Sequence, residues 1–368
     1  MGMSTFSTSR TSRNVMHVPS KSIPSLDGIR AVSILIVLFS HVGLGHIVPG
    51  GFGVTVFFFL SGYLITTLLV QEFHSKQSID IGRFYFRRFL RLAPPLLIAL
   101  TIAYLLVLAG QLGGGVSWQG FLAQIFYFAN YYQLFWDPGQ STPDGTNVLW
   151  SLAVEEHFYL GYPFVFLALR RHLSSRQIGW VLMVLSLLIL AWRYHLATQV
   201  GFESTRTYYA TDTRIDSILW GCILALMVNP WAGTLNRGKA GILPWTALII
   251  GCLMLLVSFL IRDEVFRETL RYTMQGVALM PLFYFAVRYP DTLLMRPLKW
   301  SFIKELGVYS YSIYLIHFVI VHFLQQRSAL FQNWLLLFVV TLALSVMFAS
   351  AVERYVDSRL RRVRARYH

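Results

Sequence analysis

The chain has 368 residues, of which 55% are hydrophobic and only 13% are charged, about half the charged share of a soluble domain. Its formal charge of +14 comes from 31 Lys and Arg against 17 Asp and Glu. The polar residues are too few to cover a soluble core, and no basic stretch has the length or aromatic interleaving of a nucleic-acid surface. Composition therefore excludes both of those classes and predicts an integral membrane protein.

Apolar segments long enough to cross about 30 Å of hydrocarbon recur along the chain. Residues 1–24 precede them and are predicted to be a disordered cytoplasmic tail, because they are rich in Ser and Thr and lack the hydrophobic centre of a secretory signal. Residues 354–368 are predicted to be a basic cytoplasmic tail. Ten predicted spans lie between the tails, at 29–47, 52–71, 94–110, 150–169, 178–197, 213–229, 242–261, 269–287, 303–324 and 333–352.

The stretch 117–132 is also apolar, but the charges indicate that it does not cross. The basic loops 72–93 and 170–177 are both expected in the cytoplasm, so an even number of crossings separates them. The spans 94–110 and 150–169 already supply two. We therefore expect an aromatic-rich interfacial or re-entrant helix on the outer side at 117–132. The fold prediction is one all-α bundle of about ten transmembrane helices, with both termini in the cytoplasm.

Ionisable residues at membrane depth are costly, which makes each of them a candidate functional residue. The first are Asp27 and Arg30, at the inner end of the first span, and His41. His41 lies eleven residues after Arg30, or roughly 16 Å along a helix, which puts it in the middle or outer half of the membrane. A structural histidine bonded to a neighbouring helix is an equally good interpretation of His41 alone.

A second set of candidates, Arg87, Arg88 and Arg91, comes before the third span. Arg88 and Arg91 share a helical face, and Pro94 and Pro95 are expected to start the next helix. An ordinary cluster of inner-face charges would explain them. Arginine in place of lysine favours phosphate binding instead, since the guanidinium group binds phosphate in a bidentate manner.

A third set, Ser151, Glu155 and Glu156, lies at the start of the fourth span. Ser151 and Glu155 share a face, whereas Glu156 points about 100° away. One carboxylate can therefore face a cavity while the other pairs with a neighbouring helix. The two cysteines lie in apolar segments without metal-ligand spacing, so no metal site is expected. Supporting candidates in the later spans are Arg214, Asp216, Tyr311 and His317.

Six motifs, in chain order, resemble those of the acyltransferase-3 family of membrane acyltransferases. They are SLDGIRA, GGFGVTVFFFLSGYLIT, RRFLRLAPP, NVLWSLAVEEHFYLGYP, RIDSILWG and GVYSYSIYLIHF. The resemblance runs from about Ser22 to Val352 and implies a membrane acyltransferase domain over residues 25–353. It also implies an acyl-CoA donor, commonly acetyl-CoA, and a hydroxyl acceptor such as a carbohydrate, a glycolipid or another metabolite. The implied location is the bacterial plasma (inner) membrane. Some family members carry an extracytoplasmic hydrolase-like domain, so a separate helper protein is an expected partner.

The resemblance also assigns roles to residues of this chain. The family's first-span Arg and His, its Arg-x-x-Arg and its paired glutamates fall on Arg30, His41, Arg88, Arg91, Glu155 and Glu156. We expect the arginines, with Arg87, to bind the donor phosphates. His41 is then the general base, oriented by one of the glutamates. A covalent acyl-histidine is a competing version, and it predicts donor hydrolysis or exchange without acceptor.

Two other classes of protein stay open. A multi-span transporter or flippase of a glycolipid or polar metabolite would also carry intramembrane charges, although no repeated halves or paired broken helices are found. A second group of membrane acyltransferases has its essential histidine late in the chain. His317 and His322 are the late intramembrane histidines here.

Overall fold

The structure is a computed structural model that describes residues 23–137, 141–230 and 240–365. This part of the chain is helical and contains no β-strand. Most of the predicted N-terminal tail, the loop residues Arg237 and Lys239, and the last three residues of the C-terminal tail lie outside the described residues.

The helices are described in chain order. They are α1 (Pro24–Phe39), α2 (Gly50–Lys76), α3 (Ile81–Leu108), α4 (Trp118–Ile125), α5 (Ala129–Phe135), α6 (Trp150–Arg170), α7 (Ser175–Ala197), α8 (Ser204–Tyr209), α9 (Thr211–Arg214), α10 (Asp216–Met227), α11 (Ile242–Leu260), α12 (Glu264–Glu268), α13 (Leu270–Arg288), α14 (Ser301–Gln325), α15 (Trp334–Val352) and α16 (Ser358–Ala365). A π turn, Ser40–Leu44, extends α1, and another, Glu353–Asp357, links α15 to α16. Short 3-10 turns lie at Thr146–Leu149, Arg296–Lys299 and Ala329–Gln332.

Within the described ranges, seven helical segments are long and apolar enough to cross a membrane. They are Pro24–Leu44, Gly50–Lys76, Ile81–Leu108, Ser175–Ala197, Ile242–Leu260, Ser301–Gln325 and Trp334–Arg361. Helices α6, α10 and α13 coincide with the other three predicted spans, but they fall short on length or hydropathy. The chain is therefore a multi-pass membrane protein with seven spans supported on these criteria.

The third span begins earlier than predicted. Helix α3 starts at Ile81, where the Asp80 side chain accepts a hydrogen bond from the backbone N–H of Arg83. Pro94 and Pro95 lie inside the helix and do not begin it. An interior proline removes one helical hydrogen bond and crowds the carbonyl four residues earlier, but membrane helices tolerate it because neighbouring helices satisfy the freed backbone groups. Helix α3 continues on both sides of the pair. As a result, Arg88 lies within the helix and not in a loop before it.

The aromatic stretch 117–132 contains two short helices, α4 and α5, where one had been expected. Tyr127 separates them with a backbone φ of 56°, a left-handed conformation that interrupts a right-handed helix. Eight residues rise only about 12 Å, so neither helix can cross the hydrocarbon alone. Helix α4 packs beside the end of α3, where Gln124 accepts a hydrogen bond from the Tyr104 hydroxyl at 3.2 Å.

Helix α2 lies at the centre of the bundle. Its apolar window is 72% buried, against 22% for those of α7 and α11, whose remaining surfaces are available to lipid. Helix α1 packs between α2 and α14. Its backbone comes so close to α14 that a Cβ atom on Gly307 would lie 1.8 Å from the Asp27 carbonyl oxygen. This contact holds α1 and α14 together at the level of the first candidate residues.

Candidate active site

Five helices, α1, α2, α3, α6 and α14, enclose a cavity of about 790 Å³. On α2 its lining extends from Val54 to Gln71, roughly 26 Å of helix at 1.5 Å per residue. The lining is mainly apolar but includes three arginines, Arg30, Arg88 and Arg91. A pocket of this size, with a few charged groups at fixed places, is typical of a site for a small molecule.

Two of these arginines are held by carboxylates. Arg30 Nη1 donates to Asp27 Oδ1 at 3.0 Å, one helical turn away on α1. Arg88 Nε donates to Glu156 Oε1 at 3.1 Å, across the interface between α3 and α6. Each guanidinium group keeps further N–H groups beyond those contacts, so both could also bind an anion in the cavity.

The two glutamates take different positions. Glu155 lines the cavity and accepts a hydrogen bond from the Ser61 hydroxyl at 2.9 Å. Glu156 faces α3 and pairs with Arg88. This is the division that their 100° offset on the helix leads one to expect. Neither carboxylate is the hydrogen-bond partner that the structure gives to His41.

Arg30, Arg88 and Arg91 form an arginine layer in the cavity wall. The candidates Arg87 and Tyr311 lie near it, on α3 and α14. Arg91 lines the cavity, whereas Arg87 is half-buried on α3 and is not among its lining residues. Tyr311 lines the cavity and donates a hydrogen bond from its hydroxyl to the Leu92 carbonyl at 2.9 Å. Tyr311 therefore joins α14 to the turn of α3 that follows the arginines.

Ser151 and Tyr314 close the cavity at the end away from Arg30. The two hydroxyls lie 2.7 Å apart, and that of Tyr314 also donates to the Val148 carbonyl at 3.0 Å. The Tyr314 ring lines the cavity, while its backbone carbonyl accepts a hydrogen bond from His317. Tyr314 is thus the boundary between the cavity and the next turn of α14.

On that next turn, His317 meets His41. His41 Nδ1 lies 2.9 Å from His317 Nε2, and the ring planes are within 7° of parallel. His317 is fully buried, and Phe318 stacks on the His41 ring at 4.1 Å between centroids. Gly43, two residues after His41, has a φ of 103° and ends the α1 segment there.

The hydrogen bonds of this pair define its tautomers. His317 Nδ1 lies 2.8 Å from the Tyr314 carbonyl and 3.2 Å from that of Ile313. A carbonyl oxygen only accepts, so His317 carries its proton on Nδ1 and has a lone pair on Nε2. His41 must then donate from Nδ1 to that lone pair, which leaves His41 Nε2 unprotonated. His41 Nε2 therefore carries a lone pair that the contact with His317 does not use.

Helix α14 runs along the whole site and contacts each part of it in turn. Gly307 contacts Asp27, Tyr311 contacts the arginine layer, Tyr314 closes the cavity and His317 holds His41. Ten residues separate Gly307 from His317, or roughly 15 Å at 1.5 Å per residue. The charged groups and the histidine pair therefore lie at two levels along α14, with Tyr314 between them.

The candidates Arg214 and Asp216 do not pair with each other. Asp216 forms a bidentate ion pair with Arg193 of α7, at 2.7 and 2.8 Å. Arg193 was missed in the sequence, although a lone charge inside an apolar helix was a usable signal. Arg214 is fully buried and lies 3.9 Å from the centre of the Tyr272 ring. Sequence reasoning also missed Ser61, whose hydroxyl is unremarkable until the fold brings Glu155 close to it.

The fold and the site define a multi-pass membrane protein with a cavity that carries arginines on its wall and a histidine pair on the far side of Tyr314. Comparison with known proteins makes the class specific. The sequence model of the acyltransferase domain, Acyl_transf_3, matches residues 23–354. The chain belongs to this acyltransferase-3 family.

Similar proteins carry related names. The chain is 29% identical over 347 residues to the protein named O-acetyltransferase OatA of Staphylococcus aureus (strain NCTC 8325 / PS 47). It is 28% identical over 357 residues to putative O-acetyltransferases of Staphylococcus aureus strains COL and MSSA476. Each match covers 92% of this chain but only 57% of the relative, so the chain spans little more than half their length. No solved structure matches the chain.

Proposed function

We propose that this protein is a membrane O-acyltransferase that moves an acyl group, with acetyl as the expected group, from cytoplasmic acyl-CoA to a hydroxyl of a carbohydrate or glycolipid. The observation that carries the proposal is the cavity with arginines on its wall and the histidine pair just beyond its closed end. The relatives named O-acetyltransferases support acetyl transfer. Family membership favours a transferase over a transporter or flippase.

The proposal includes a topology of ten crossings, in which α6, α10 and α13 also span the membrane. An even number returns the chain to the side from which it started. The basic residues at the start of α3 and the end of α6, and the Arg-rich helix α16, would then share the cytoplasmic face of a bacterial inner membrane. Helices α4 and α5 would lie on the outer side as an interfacial or re-entrant pair. Both chain termini would be cytoplasmic.

Donor binding follows from the arginine layer. Arg30, Arg88 and Arg91 would bind the phosphates of acyl-CoA, with Arg87 as a nearby positive charge, and the pantetheine arm would extend along the cavity towards Tyr314. Arginine suits this role because its N–H groups match phosphate oxygens in pairs. Glu156 would fix the position of Arg88.

The chemical step would use His41 Nε2. The nitrogen takes the proton from the acceptor hydroxyl while that oxygen attacks the thioester carbonyl carbon. The tetrahedral intermediate then collapses, the C–S bond breaks, and the His41 imidazolium returns the proton to the departing thiolate to give free CoA. His317, by accepting from His41 Nδ1, holds the ring in the required tautomer. In the role of orienting His41, His317 takes the place of the glutamate that we expected from the sequence.

The remaining parts of the sequence prediction stay proposals. Glu155 would shape the cavity wall through its bond to Ser61, and Ser151 would close the cavity together with Tyr314. A separate extracytoplasmic helper protein remains an expected partner. The covalent acyl-histidine version differs from general-base catalysis in that the donor would be consumed, or exchanged, without acceptor.

The test is release of free CoA from acetyl-CoA by detergent-purified protein, with a crude glycolipid extract as acceptor. We expect release that requires both the acceptor and His41, so that His41→Ala is inactive while it still inserts and folds. Release that does not require the acceptor would favour the acyl-histidine version. Equal release by wild type and His41→Ala would refute the catalytic assignment. No release from folded wild type with several acyl donors would favour a transporter, or an enzyme that still lacks its partner protein.

A further inference from the structure

The cavity continues on both sides of the level at which Arg88 lies. Ser61 of α2 marks that level, because its hydroxyl bonds Glu155. Glu156, the next residue, pairs with Arg88. From Ser61 the lining on α2 runs ten residues to Gln71, roughly 15 Å of helix. We call this part of the cavity the inner half. The proposed donor arm extends the other way, towards the closed end, and so leaves the inner half unused.

The closed end and the inner half lie at opposite ends of the lining on α2. Phe57, about one turn before Ser61, meets the Tyr314 ring with 6.3 Å between the ring centroids. The closed end therefore lies towards the start of α2, and the inner half lies towards its end, at Gln71. In the proposed topology the end of α2 faces the cytoplasm, from which a soluble donor arrives.

The wall of the inner half is mainly aliphatic, with side chains from α1, α2 and α14. Leu26 and Ile65 are buried in it, whereas Leu68 and Val308 line the cavity and are 57% and 53% exposed. Binding a flat ring against such uncovered aliphatic surface is favourable, because both surfaces are removed from water. A mainly apolar wall with a few fixed polar groups is typical of a site for a small molecule.

The polar groups of the inner half form one stripe along α2. Tyr63, Thr67 and Gln71 are spaced four residues apart and all line the cavity, so they share one face of the helix. Asn229 occupies the first two, since its Oδ1 accepts from the Tyr63 hydroxyl at 3.1 Å and its Nδ2 donates to the Thr67 hydroxyl at 3.2 Å. The half-buried Gln71 amide forms no hydrogen bond with the residues that the structure describes. One amide of the stripe is therefore available to a ligand as both donor and acceptor.

We propose that the inner half is a purine subsite, which binds the adenine of the acyl-CoA donor and recognises the edge of its ring through Gln71. This inference rests on the proposed function and deepens it. A side-chain amide pairs with adenine through two hydrogen bonds, in which its oxygen accepts from the N6 amino group and its N–H donates to N7. Leu68 and Val308 supply the aliphatic surface that the ring covers.

The order of groups along the cavity matches the order of groups in acyl-CoA. Adenine at Gln71, phosphates at the arginine layer and the pantetheine arm towards the closed end follow one another without a reversal. A phosphopantetheine arm that is attached to a carrier protein has no nucleoside and would leave the inner half empty. The purine subsite therefore selects free acyl-CoA over an acyl carrier protein as the donor.

The first experiment measures nucleotide binding and needs no acyl transfer. Adenosine 3′,5′-bisphosphate, or its inosine analogue with a carbonyl in place of the N6 amino group, is titrated into the detergent-purified full chain. Dissociation constants are taken from the rise in the midpoint of thermal unfolding. We expect wild type to bind the adenosine compound about 5- to 150-fold more tightly, the discrimination given by one bidentate pair. Gln71→Leu should bind both compounds equally, and Gln199→Leu, at an exposed glutamine beyond α7, should behave as wild type.

Three results would overturn the proposal: equal affinity of wild type for the two compounds, no binding of either, or full discrimination in Gln71→Leu. Leu68→Trp is a second variant, which fills the inner half with a ring of the protein itself. It should keep the wild-type unfolding midpoint in the absence of nucleotide and lose binding of the adenosine compound. Unchanged binding by Leu68→Trp would contradict the placement of the purine.

The second experiment compares two acetyl donors in the transfer assay. S-acetyl-4′-phosphopantetheine carries the thioester arm and one phosphate but no nucleoside. Gln71→Leu should raise KM for acetyl-CoA by the same factor as above, with kcat little changed, and should leave KM for S-acetyl-4′-phosphopantetheine as in wild type. Equal effects on the two donors would contradict the inference.

The two experiments separate the inference from the proposed function. If wild type discriminates the two nucleotides through Gln71 but transfers no acyl group, the purine subsite stands and the proposed function fails. If transfer requires His41 but Gln71→Leu changes neither KM nor nucleotide binding, the proposed function stands and the inference fails.

Discussion

Replacement of His317 by glutamine separates two ways in which the histidine pair could work. In the structure His317 only accepts a hydrogen bond from His41, through Nε2 at 2.9 Å. A glutamine amide oxygen can take the place of that nitrogen and accept the same bond. It cannot act as a base. Alanine at either position would not distinguish the two, because the two rings are one hydrogen-bonded unit.

The expected loss of kcat follows from the single hydrogen bond between His41 and His317. Loss of the acceptor in His317→Ala leaves the half-buried Nδ1–H of His41 without its protein partner, at a cost of about 1–3 kcal/mol. If that cost falls on the active tautomer, kcat drops about 5- to 150-fold, since 1.36 kcal/mol corresponds to a factor of ten. His317→Gln restores the acceptor and should remain within about tenfold of wild type. His41→Gln removes the base and should lose at least about 100-fold.

The assay is the initial rate of CoA release at saturating donor and acceptor, with unfolding midpoints measured in parallel. His322→Ala, which removes a ring that contacts Phe318 at 4.5 Å, is the matched control on the same helix and should stay near wild type. The reasoning is refuted if folded His317→Gln is as inactive as His41→Gln. His317 would then itself take part in the chemistry, as in membrane acyltransferases with a late essential histidine.

Two further predictions concern the arginines. Arg91→Gln should raise KM for acetyl-CoA by about 10- to 150-fold, because a hydrogen bond to a charged group contributes about 1.5–3 kcal/mol. Arg83→Gln, elsewhere on α3 and paired with Asp80, should leave KM unchanged, and equal effects would point to a general surface charge. Arg193→Met should lower the free energy of unfolding by about 3–5 kcal/mol, since it strands the buried Asp216 carboxylate. The double variant Arg193→Met with Asp216→Leu should recover most of that loss, and a double variant no more stable than the single would contradict the ion-pair account.

The positions of the seven supported spans were predictable from hydropathy, because a helix that crosses a membrane must satisfy its backbone within itself. The residues at which the helices begin and end were less predictable. The polar start of α3 was predicted as a loop because its arginines lower the local hydropathy, although the helix continues through them. The break at Tyr127 depends on one left-handed residue, for which the aromatic run gives no signal.

Much of the candidate site was also visible in the sequence, since costly charges at membrane depth mark it. The sequence did not show which of these charged residues pair with each other. His41 and His317 are 276 residues apart, and only the contact between α1 and α14 joins them. Asp216 turned out to belong to Arg193, which left Arg214 without a carboxylate. Local spacing predicts which residues share a face of one helix. Which residues of different helices become partners depends on how the helices pack together.

The proposed mechanism requires the donor to enter from the face that carries Arg30, Arg88 and Arg91 and to meet His41 near the other face. Sealed membrane vesicles of both orientations test it, with labelled acetyl-CoA added only to the outside and His41→Gln as the blank. Inverted vesicles, which expose the cytoplasmic face, should label the acceptor, and right-side-out vesicles should do so only after detergent opens them. Labelling by intact right-side-out vesicles at the rate of inverted ones would contradict the account.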